Sequence, residues 1–245
     1  MKDYKHLAET IYRRNSFREF SKKPVDFLEG GIDLIESFEI QVLIDTVKVK
    51  VKVLGKDKIK NERSDYCIAF YSEKKPLYLE NIGFIGQQID LELQSKGLGT
   101  CWWGMKKPKR KYRKLDGLEC VITMTAGWPQ TSGTRVYPDG FDRKAAAGII
   151  IGDTIPDGLT EAVRVAPSAV NLQPWLIEKT DNRYNFFIRP PKTIMERIIG
   201  DMRHIDMGID MAHMFVRAKA NGLNVSIGFE GKDTNQGKYI GTIIV

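Results

Sequence analysis

The chain has 245 residues, of which 42% are apolar and 28% charged, as in a globular protein able to bury one large core or two small ones. Its net charge of +7 favours anionic ligands such as phosphate-bearing cofactors, but the charge is too dispersed to indicate nucleic-acid binding. The three cysteines show no paired spacing, so neither a disulfide framework nor a zinc site is expected. Residues 1–10 are polar and no apolar run is as long as a membrane span, which predicts a cytoplasmic protein.

The first predicted helix runs from Tyr4 to Asn15 and leads into a basic segment. Arg14, Ser16 and Arg18 alternate there with other residues. Guanidinium groups bind phosphate through two parallel hydrogen bonds, and a serine hydroxyl adds a neutral donor. The same arginines would also suit a solvated helix end, where the helix dipole favours positive charge. On these residues alone both interpretations stay open.

Regular elements follow in the first half of the chain. Residues 47–53 alternate valine with lysine, which predicts a half-buried strand, and 65–71 is a second, mostly apolar strand. Residues 79–96 carry isoleucine and leucine on one helical face and stop at Gly97, a natural helix end. A strand is predicted over 119–126, and 148–156 has the glycine and proline content of a junction.

The segment after Gly97 reads Leu-Gly-Thr-Cys-Trp-Trp-Gly-Met, and a basic run occupies 106–114. Two adjacent tryptophans, Trp102 and Trp103, are typical of core packing when nothing else is known. A basic run interrupted by Pro108 is typical of a solvated loop, although it could also attract the phosphates of a nicotinamide dinucleotide.

Residues 166–175 read Ala-Pro-Ser-Ala-Val-Asn-Leu-Gln-Pro-Trp. The two prolines exclude a continuous helix or an interior strand. Asn171 and Gln173 each offer a donor beside an acceptor, which suits the edge of a heterocycle made of C=O and N–H groups. The segment is therefore either a rigid binding loop or an elaborate turn.

The remaining pattern indicates a duplication. Strands are predicted over 175–178, 184–188, 224–227 and 239–245, and a long helix over 205–221. A shift of 125 residues places Gly83 on Gly208 and Gly97 on Gly222, with compatible apolar faces between them. Chance similarity of two amphipathic helices is the alternative to an internal repeat.

The segment 166–175 resembles the Ala-Pro-Ser-Ala-x-Asn-x-Gln-Pro-Trp signature of the nitroreductase family of FMN-dependent NAD(P)H oxidoreductases, and three further motifs agree with it. The resemblance implies an α+β, nitroreductase-like fold of two tandem degenerate half-units, each a mainly antiparallel sheet flanked by helices. Residues 1–150 and 151–245 are the expected halves. The family carries its loop early in the chain, near the place of 65–71 here, so its position at 166 implies a fused pseudo-dimer with one FMN site.

The resemblance also implies the residues of the flavin site. The implied phosphate clamp is Arg14, Asn15, Ser16 and Arg18, completed by the basic pair Arg143 and Lys144. The implied edge near flavin N5 is Trp103, Gly104 and Met105. The implied flavin loop supplies Pro167, Ser168, Ala169, Asn171 and Gln173. No catalytic side chain and no metal are expected, because a flavin carries the redox chemistry itself.

The implied activity is a ping-pong transfer of hydride from NADH or NADPH, through FMN, to a nitroaromatic, quinone or flavin acceptor. The expected partner is this small-molecule acceptor, with no nucleic acid and no membrane, and the chain is expected to be a monomer, with a homodimer as the alternative. A low-turnover flavin-binding protein (a carrier, sensor or scaffold) and an interaction module built on the basic run 106–114 are the competing functions.

Overall fold

The computed structural model of the protein describes residues 2–29, 32–60, 63–131, 133, 135–137 and 139–245. Its α-helices are Lys5–Ile11 (α1), Asp26–Glu29 (α2), Leu34–Ser37 (α3), Tyr78–Ser95 (α4), Asp157–Arg164 (α5), Ile194–Ile199 (α6) and Met202–Ala220 (α7). Its strands are Val49–Gly55 (β1), Tyr66–Ser72 (β2), Gly99–Trp103 (β3), Lys114–Leu115 (β4), Leu118–Gly127 (β5), Ile150–Gly152 (β6), Trp175–Thr180 (β7), Arg183–Ile188 (β8), Ser226–Gly228 (β9) and Lys238–Ile244 (β10).

The strands form two sheets that repeat one topology. The first has the order β1-β2-β5-β3, with β4 also paired to β5, and the second has the order β6-β7-β8-β10-β9. Apart from β6, the second order repeats the first, and these neighbours are antiparallel in both sheets. The short β6 runs parallel to β7. This is the α+β, mainly antiparallel architecture expected from the sequence.

The helices α4 and α7 lie at the centre and touch through their backbones. A methyl group placed on Gly83 would lie 2.0 Å from the carbonyl oxygen of Ile205, and one placed on Gly208 would lie 1.9 Å from that of Glu80. The two contacts are reciprocal, since the same shift of 125 residues relates Gly83 to Gly208 and Glu80 to Ile205. Reciprocal contacts of this kind are the signature of a two-fold interface.

A second pair of contacts follows the same shift. On α4, Asn81 Oδ1 accepts a hydrogen bond of 3.2 Å from the backbone N–H of Ile44. On α7, the carboxylate of Asp206 accepts from the backbone N–H of Ala169 at 3.0 Å. The counterpart of the loop at 166–175 is therefore the segment before β1. The strand predicted over 65–71 is confirmed as β2, so the counterpart lies about 20 residues before the region in which the sequence analysis had placed it.

Both central helices are buried around most of their circumference. One hydrophobic cluster includes residues of α4, α7 and both sheets, so a single core runs through both predicted halves. The helix predicted over 79–96 lies at Tyr78–Ser95, and Gly97 after it has a φ of +82°. The helix predicted from 205 begins earlier, at Met202.

One predicted helix boundary was wrong. The first helix ends at Ile11 instead of Asn15, because Arg14 turns inward to a buried carboxylate and Ser16 pairs with Thr100 in an isolated parallel bridge. The junction predicted at 148–156 contains β6, which is only three residues long and pairs with β7 of the second sheet. Helices α5 and α6 were not predicted; α6 begins with a capping box in which Thr193 and Glu196 satisfy each other's backbone N–H groups.

Among the residues described above, no helix has the length and apolar character needed to cross a bilayer. No three histidine, cysteine, aspartate or glutamate side chains of this set come together as a metal cluster. All three cysteines are buried free thiols.

Candidate functional site

Arg14 is fixed in place by a buried ion pair. Its Nε lies 2.9 Å from Oδ2 of Asp90 on α4, and both side chains are 1% exposed. Asp90 also accepts hydrogen bonds from Gln87, Gln94 and Thr100, which satisfy the remaining lone pairs of the carboxylate. A buried charge pair with this many partners is held rigidly, because losing any one partner would leave a polar group unsatisfied.

The free end of the Arg14 guanidinium points toward the predicted clamp. Its Nη2 donates to the backbone oxygen of Asn15 at 3.2 Å and to Oγ of Ser16 at 3.4 Å. Its Nη1 is buried with no partner. An unpaired buried donor on a charged group costs about 1–3 kcal/mol or more, so this atom fits an anionic ligand.

Three further arginines form a cluster with Arg14: Arg18, Arg135 and Arg143. The pKa of Arg143 is lowered to about 10, first by burial and then by the charges of Arg135 and Arg14. The pKa of Arg135 is lowered by burial and by Arg14 and Arg18. Like charges brought together in a half-buried place repel each other, and an anion bound among them would remove that repulsion. The cluster therefore has the charge needed to hold an anion such as a phosphate.

Arg135 is a residue of the arginine cluster that the sequence analysis did not identify. Its Nε donates to Oδ1 of Asn15 at 3.1 Å, and its guanidinium carbon lies 5.0 Å from the ring centroid of Phe141. Arg143 lies 5.8 Å from the same ring, so Phe141 supports both cations. Nothing in the local sequence marks Arg135, because its position depends on contacts with residues far away in the chain.

Residues 167–173 form a strained loop beside Arg143. Val170, Asn171 and Gln173 all have positive φ angles, of 45°, 60° and 48°. A β-branched residue such as Val170 is rarely left-handed, and such strain persists only where surrounding contacts impose it. Here Ser168 Oγ accepts a hydrogen bond of 2.9 Å from the Gln173 backbone N–H and closes the loop. The segment is therefore a rigid loop rather than an ordinary turn.

The two loop amides are bound to the first half of the chain. Asn171 Oδ1 accepts from Nη1 of Arg143 at 2.8 Å, and Asn171 Nδ2 donates to the Asp142 backbone oxygen at 3.0 Å. Gln173 Oε1 accepts from the backbone N–H of Lys144 at 2.8 Å. The Lys144 ammonium donates to the backbone oxygens of Leu172 and Gln173, so it holds the loop and does not point into the arginine cluster.

Arg143 thus joins the cluster to the loop. Its Nη1 donates to Asn171 in the loop, and its Nη2 donates to the Val165 backbone oxygen. Its Nε is buried without a partner. The structure therefore brings Arg14, Ser16 and Arg18 from the first half near Asn171 from the second; that they form one flavin site stays a prediction.

Asp206 supports the loop from beneath. Its carboxylate is 4% exposed and accepts from the Ala169 backbone N–H at 3.0 and 3.1 Å. Burial raises the pKa of Asp206 to about 8, while the Ala169 hydrogen bond and the charge of Arg203 act in the opposite direction. Pro167, before the contact, is buried. This part of the loop is anchored to α7.

The predicted edge segment, Trp103, Gly104 and Met105, lies against the same end of α7. A methyl group on Gly104 would lie 2.4 Å from Sδ of Met202, so this glycine is covered by a flexible side chain one helical turn before Asp206. Trp103 is half-buried between the cations of Arg63 and Lys106, at 4.5 and 5.2 Å from its ring. Met105 is 89% exposed.

The neighbouring Trp102 has a packing role. Its ring stacks on Phe70 with centroids 5.5 Å apart and fills the space above Gly86. Its Nε1 donates to Oε1 of Gln87, which in turn contacts both Asp90 and Nε2 of His213. For Trp102 the core interpretation is therefore the right one, and this network links it to the buried pair of Arg14.

The phosphate end of this site fits the cofactor that the sequence implies. The unpartnered Nη1 of Arg14 and Nε of Arg143 are donors for an anion, and Ser16 adds a hydroxyl. A cavity of about 220 Å³ opens beside Arg14 and Phe17.

Comparison with known proteins agrees with the fold. A family profile described as "Putative TM nitroreductase" matches residues 6–218. A putative nitroreductase of Thermotoga maritima MSB8 is similar over 100% of this chain and 95% of its own, with 21% identity and a TM-score of 0.68.

Shorter proteins are similar over part of the chain. A putative NADH oxidase of Clostridium acetobutylicum shares 18% identity over 59% of this chain and 99% of its own, with a TM-score of 0.44. A nitroreductase with bound FMN from Desulfitobacterium hafniense DCB-2 shares 17% identity over 57% and 96%, with a TM-score of 0.42. No curated protein matches the chain.

Proposed function

The chain belongs to the nitroreductase family described as "Putative TM nitroreductase", and on that premise we propose that it is an FMN-dependent NAD(P)H oxidoreductase. One observation carries the proposal. Buried Arg14 and half-buried Arg143 each present a buried, unpartnered N–H group between the basic segment of the first half and the strained loop of the second. An anion is the ligand that satisfies both.

The residues of this chain would divide the work between the two ends of the cofactor. The phosphate would be held by Arg14, Ser16, Arg18, Arg135 and Arg143, whose mutual repulsion it would relieve. The loop 167–173 and the segment 103–105 would hold the ring. When bound, FMN accepts hydride from NADH or NADPH and passes electrons to a nitroaromatic, quinone or flavin acceptor, in the ping-pong order implied by the resemblance.

The chain's own contribution is positioning. Asp90 holds Arg14, Asp206 holds Ala169, and Lys144 holds the carbonyl groups of Leu172 and Gln173. Each of these contacts fixes a group before any ligand arrives, and a preorganised site spends less of its binding free energy on ordering. The exposed basic run 106–114 is not needed for this function.

We further propose that the chain is a fused pseudo-dimer with halves at 1–150 and 151–245. Support comes from the repeated strand order, the reciprocal contacts of Gly83 and Gly208, and the matching roles of Asn81 and Asp206. A homodimer with one site at each end of a two-fold interface would become, after fusion, a monomer with one complete site. We propose a monomer whose partner is the small electron acceptor.

Met202 provides the observation that favours a second candidate. Because its side chain covers Gly104, the protein could bind flavin and turn over slowly, as a carrier, sensor or scaffold. The difference lies in whether bound flavin can be reduced by a nicotinamide dinucleotide.

The experiment is an absorption titration of the purified chain with FMN, followed by anaerobic addition of NADH and then NADPH. We expect about one FMN per chain and bleaching of the flavin band. Bound flavin that neither donor bleaches would favour the low-turnover protein. Two FMN per chain would contradict the single composite site, and no binding would refute the cofactor.

A matched pair of variants locates the site. Arg143→Gln removes one charge-assisted partner of the phosphate and should weaken FMN binding about 10- to 100-fold. Arg110→Gln removes an equal charge from the exposed basic run and should leave the affinity unchanged. Equal losses in both variants would show that only the overall positive charge matters.

A further inference from the structure

A cleft of about 720 Å³ shares no lining residue with the arginine cluster. Its walls are the segment 42–47 before β1, the residues 75–77 that lead into α4, and Ile227 and Phe229 at the end of β9. This volume lies within the range of small-molecule sites.

The cleft is the two-fold counterpart of the candidate flavin ring site. The shift of 125 residues relates the segment 42–47 to the loop 167–172, Leu77 to Met202, and Phe229 to Gly104. The backbone N–H groups of Ile44 and Ala169 donate to Asn81 Oδ1 and to the Asp206 carboxylate, and these hydrogen bonds fix the two loops in the same way. Met202 covers Gly104 in one copy, while the other copy is an open cleft.

The walls of this cleft are apolar and only partly covered. Leu43, Ile44, Leu77 and Ile227 line it, and the side chains of Val42 and Phe229 remain 40% and 37% exposed. The Phe229 ring offers an aromatic surface, on which a planar ring gains about 0.5–1.5 kcal/mol beyond its area burial.

The charges of the cleft exclude a phosphate. No arginine is among the residues that line it. Lys75 is held by the Glu73 carboxylate at 2.9 Å and by the Thr46 backbone oxygen at 3.1 Å, so its charge is already neutralised. Asp45, at the rim, has no ion-pair or hydrogen-bond partner among the residues that the structure describes, and leaves the cleft with a free acceptor.

We propose that this cleft is a second ligand site, for an uncharged planar aromatic molecule that bears a hydroxyl or N–H donor and no phosphate. The apolar walls take the ring, Phe229 stacks or meets it edge-on, and Asp45 with Thr46 accepts the donor. Because Lys75, the one cation that lines the cleft, already pairs with Glu73, no unpaired cation is left for the phosphate of FMN, and the two counterpart sites take different ligands. This inference rests on the cleft and its charges, and does not require FMN in the other site.

The test is isothermal titration of FMN-saturated protein with two phosphate-free probes, lumichrome and 2-naphthol. We expect saturable binding of about one probe per chain, with FMN itself unable to compete. Val42→Trp fills the cleft from an exposed position and should weaken binding at least 10-fold, and Phe229→Ala should weaken it about 2- to 10-fold. Leu223→Trp, an equally exposed position outside the cleft, is the control and should bind as the parent does.

Several results would overturn the proposal. Neither probe binding saturably would exclude the class, and unchanged binding in Val42→Trp would place the probes elsewhere. Competition by FMN would show that the probes occupy the arginine site. If the chain binds no FMN at all, the same variants are titrated with the probes alone. Probe binding that weakens in Val42→Trp but not in Leu223→Trp still shows that the probes bind in the cleft.

Discussion

The crossing of α4 and α7 predicts that alanine is not tolerated at Gly83 or Gly208. A Cβ atom on Gly83 would lie 2.0 Å from a backbone oxygen, and real contacts stay beyond 3.0 Å, so the helices must separate by about 1 Å. The obstructing atom is backbone and cannot rotate away, which puts the cost near the top of the overpacking range, about 3 kcal/mol. Replacing glycine by alanine within a helix returns about 1 kcal/mol.

The net expectation for Gly83→Ala is a loss of about 2 kcal/mol in the free energy of unfolding, or about 4–8 °C in Tm for a chain of this size. Gly208→Ala should lose a similar amount, because its contact is the counterpart of the first. The double variant should lose less than the sum, since separation caused by one methyl group makes room for the other.

The assay is urea unfolding followed by circular dichroism. Gly228→Ala is the control, because a methyl group there meets no atom within 4 Å, and its effect should stay within about 0.5 kcal/mol. If Gly83→Ala instead stabilises the protein by about 1 kcal/mol, only the higher helix propensity of alanine is acting, and the backbone contact at the crossing is refuted. Strict additivity in the double variant would contradict the shared separation.

Further predictions concern the supports of the candidate site. Burial raises the pKa of Asp206 to about 8, so its contribution to stability is full at low pH and is lost as the pH rises to 8. Asp206→Asn should remove this loss, which is about 1.4 kcal/mol per pH unit. In urea unfolding, the difference in the free energy of unfolding between variant and parent should therefore rise up to pH 8 and stay level above it. Met202→Ala uncovers Gly104 and should speed reduction of bound flavin by NADH at least about twofold in stopped-flow absorbance, whereas an unchanged rate would mean that Met202 does not limit access. Val170→Gly should raise the free energy of unfolding by about 0.5–1 kcal/mol, because Val170 has a φ of 45° and is 68% exposed; a loss would show that the side chain matters.

The long helices and most strands could be predicted from sequence because their signals are local. The apolar face from Ile82 to Leu93 and the alternation in β1 need no knowledge of the partner. The loop at 166–175 could also be identified, because its motif residues are contiguous in the sequence. The shift between Gly83 and Gly208 had a physical meaning that only the structure gives, namely the reciprocal contact of two backbones.

What escaped the sequence depends on distant contacts. Strand β6 is three residues long and exists through its parallel pairing with β7. Arg135 joins the arginine cluster through contacts with Asn15 and Phe141, and the sequence around Arg135 does not predict these contacts. The inward turn of Arg14 depends on Asp90, a carboxylate 76 residues away that looks like an ordinary polar position on an amphipathic helix. Tertiary contacts, not propensity, decide these cases.

The link from Arg143 to Asn171 has a consequence for how the site responds to dilution. In an assembly of separate subunits, a composite site obeys mass action and comes apart as the protein concentration falls. Here the cluster and the loop belong to one covalent chain, and their encounter is a first-order event at every concentration. With free FMN kept in saturating excess, specific activity should therefore stay constant from micromolar to picomolar protein, and no lag that lengthens on dilution should appear.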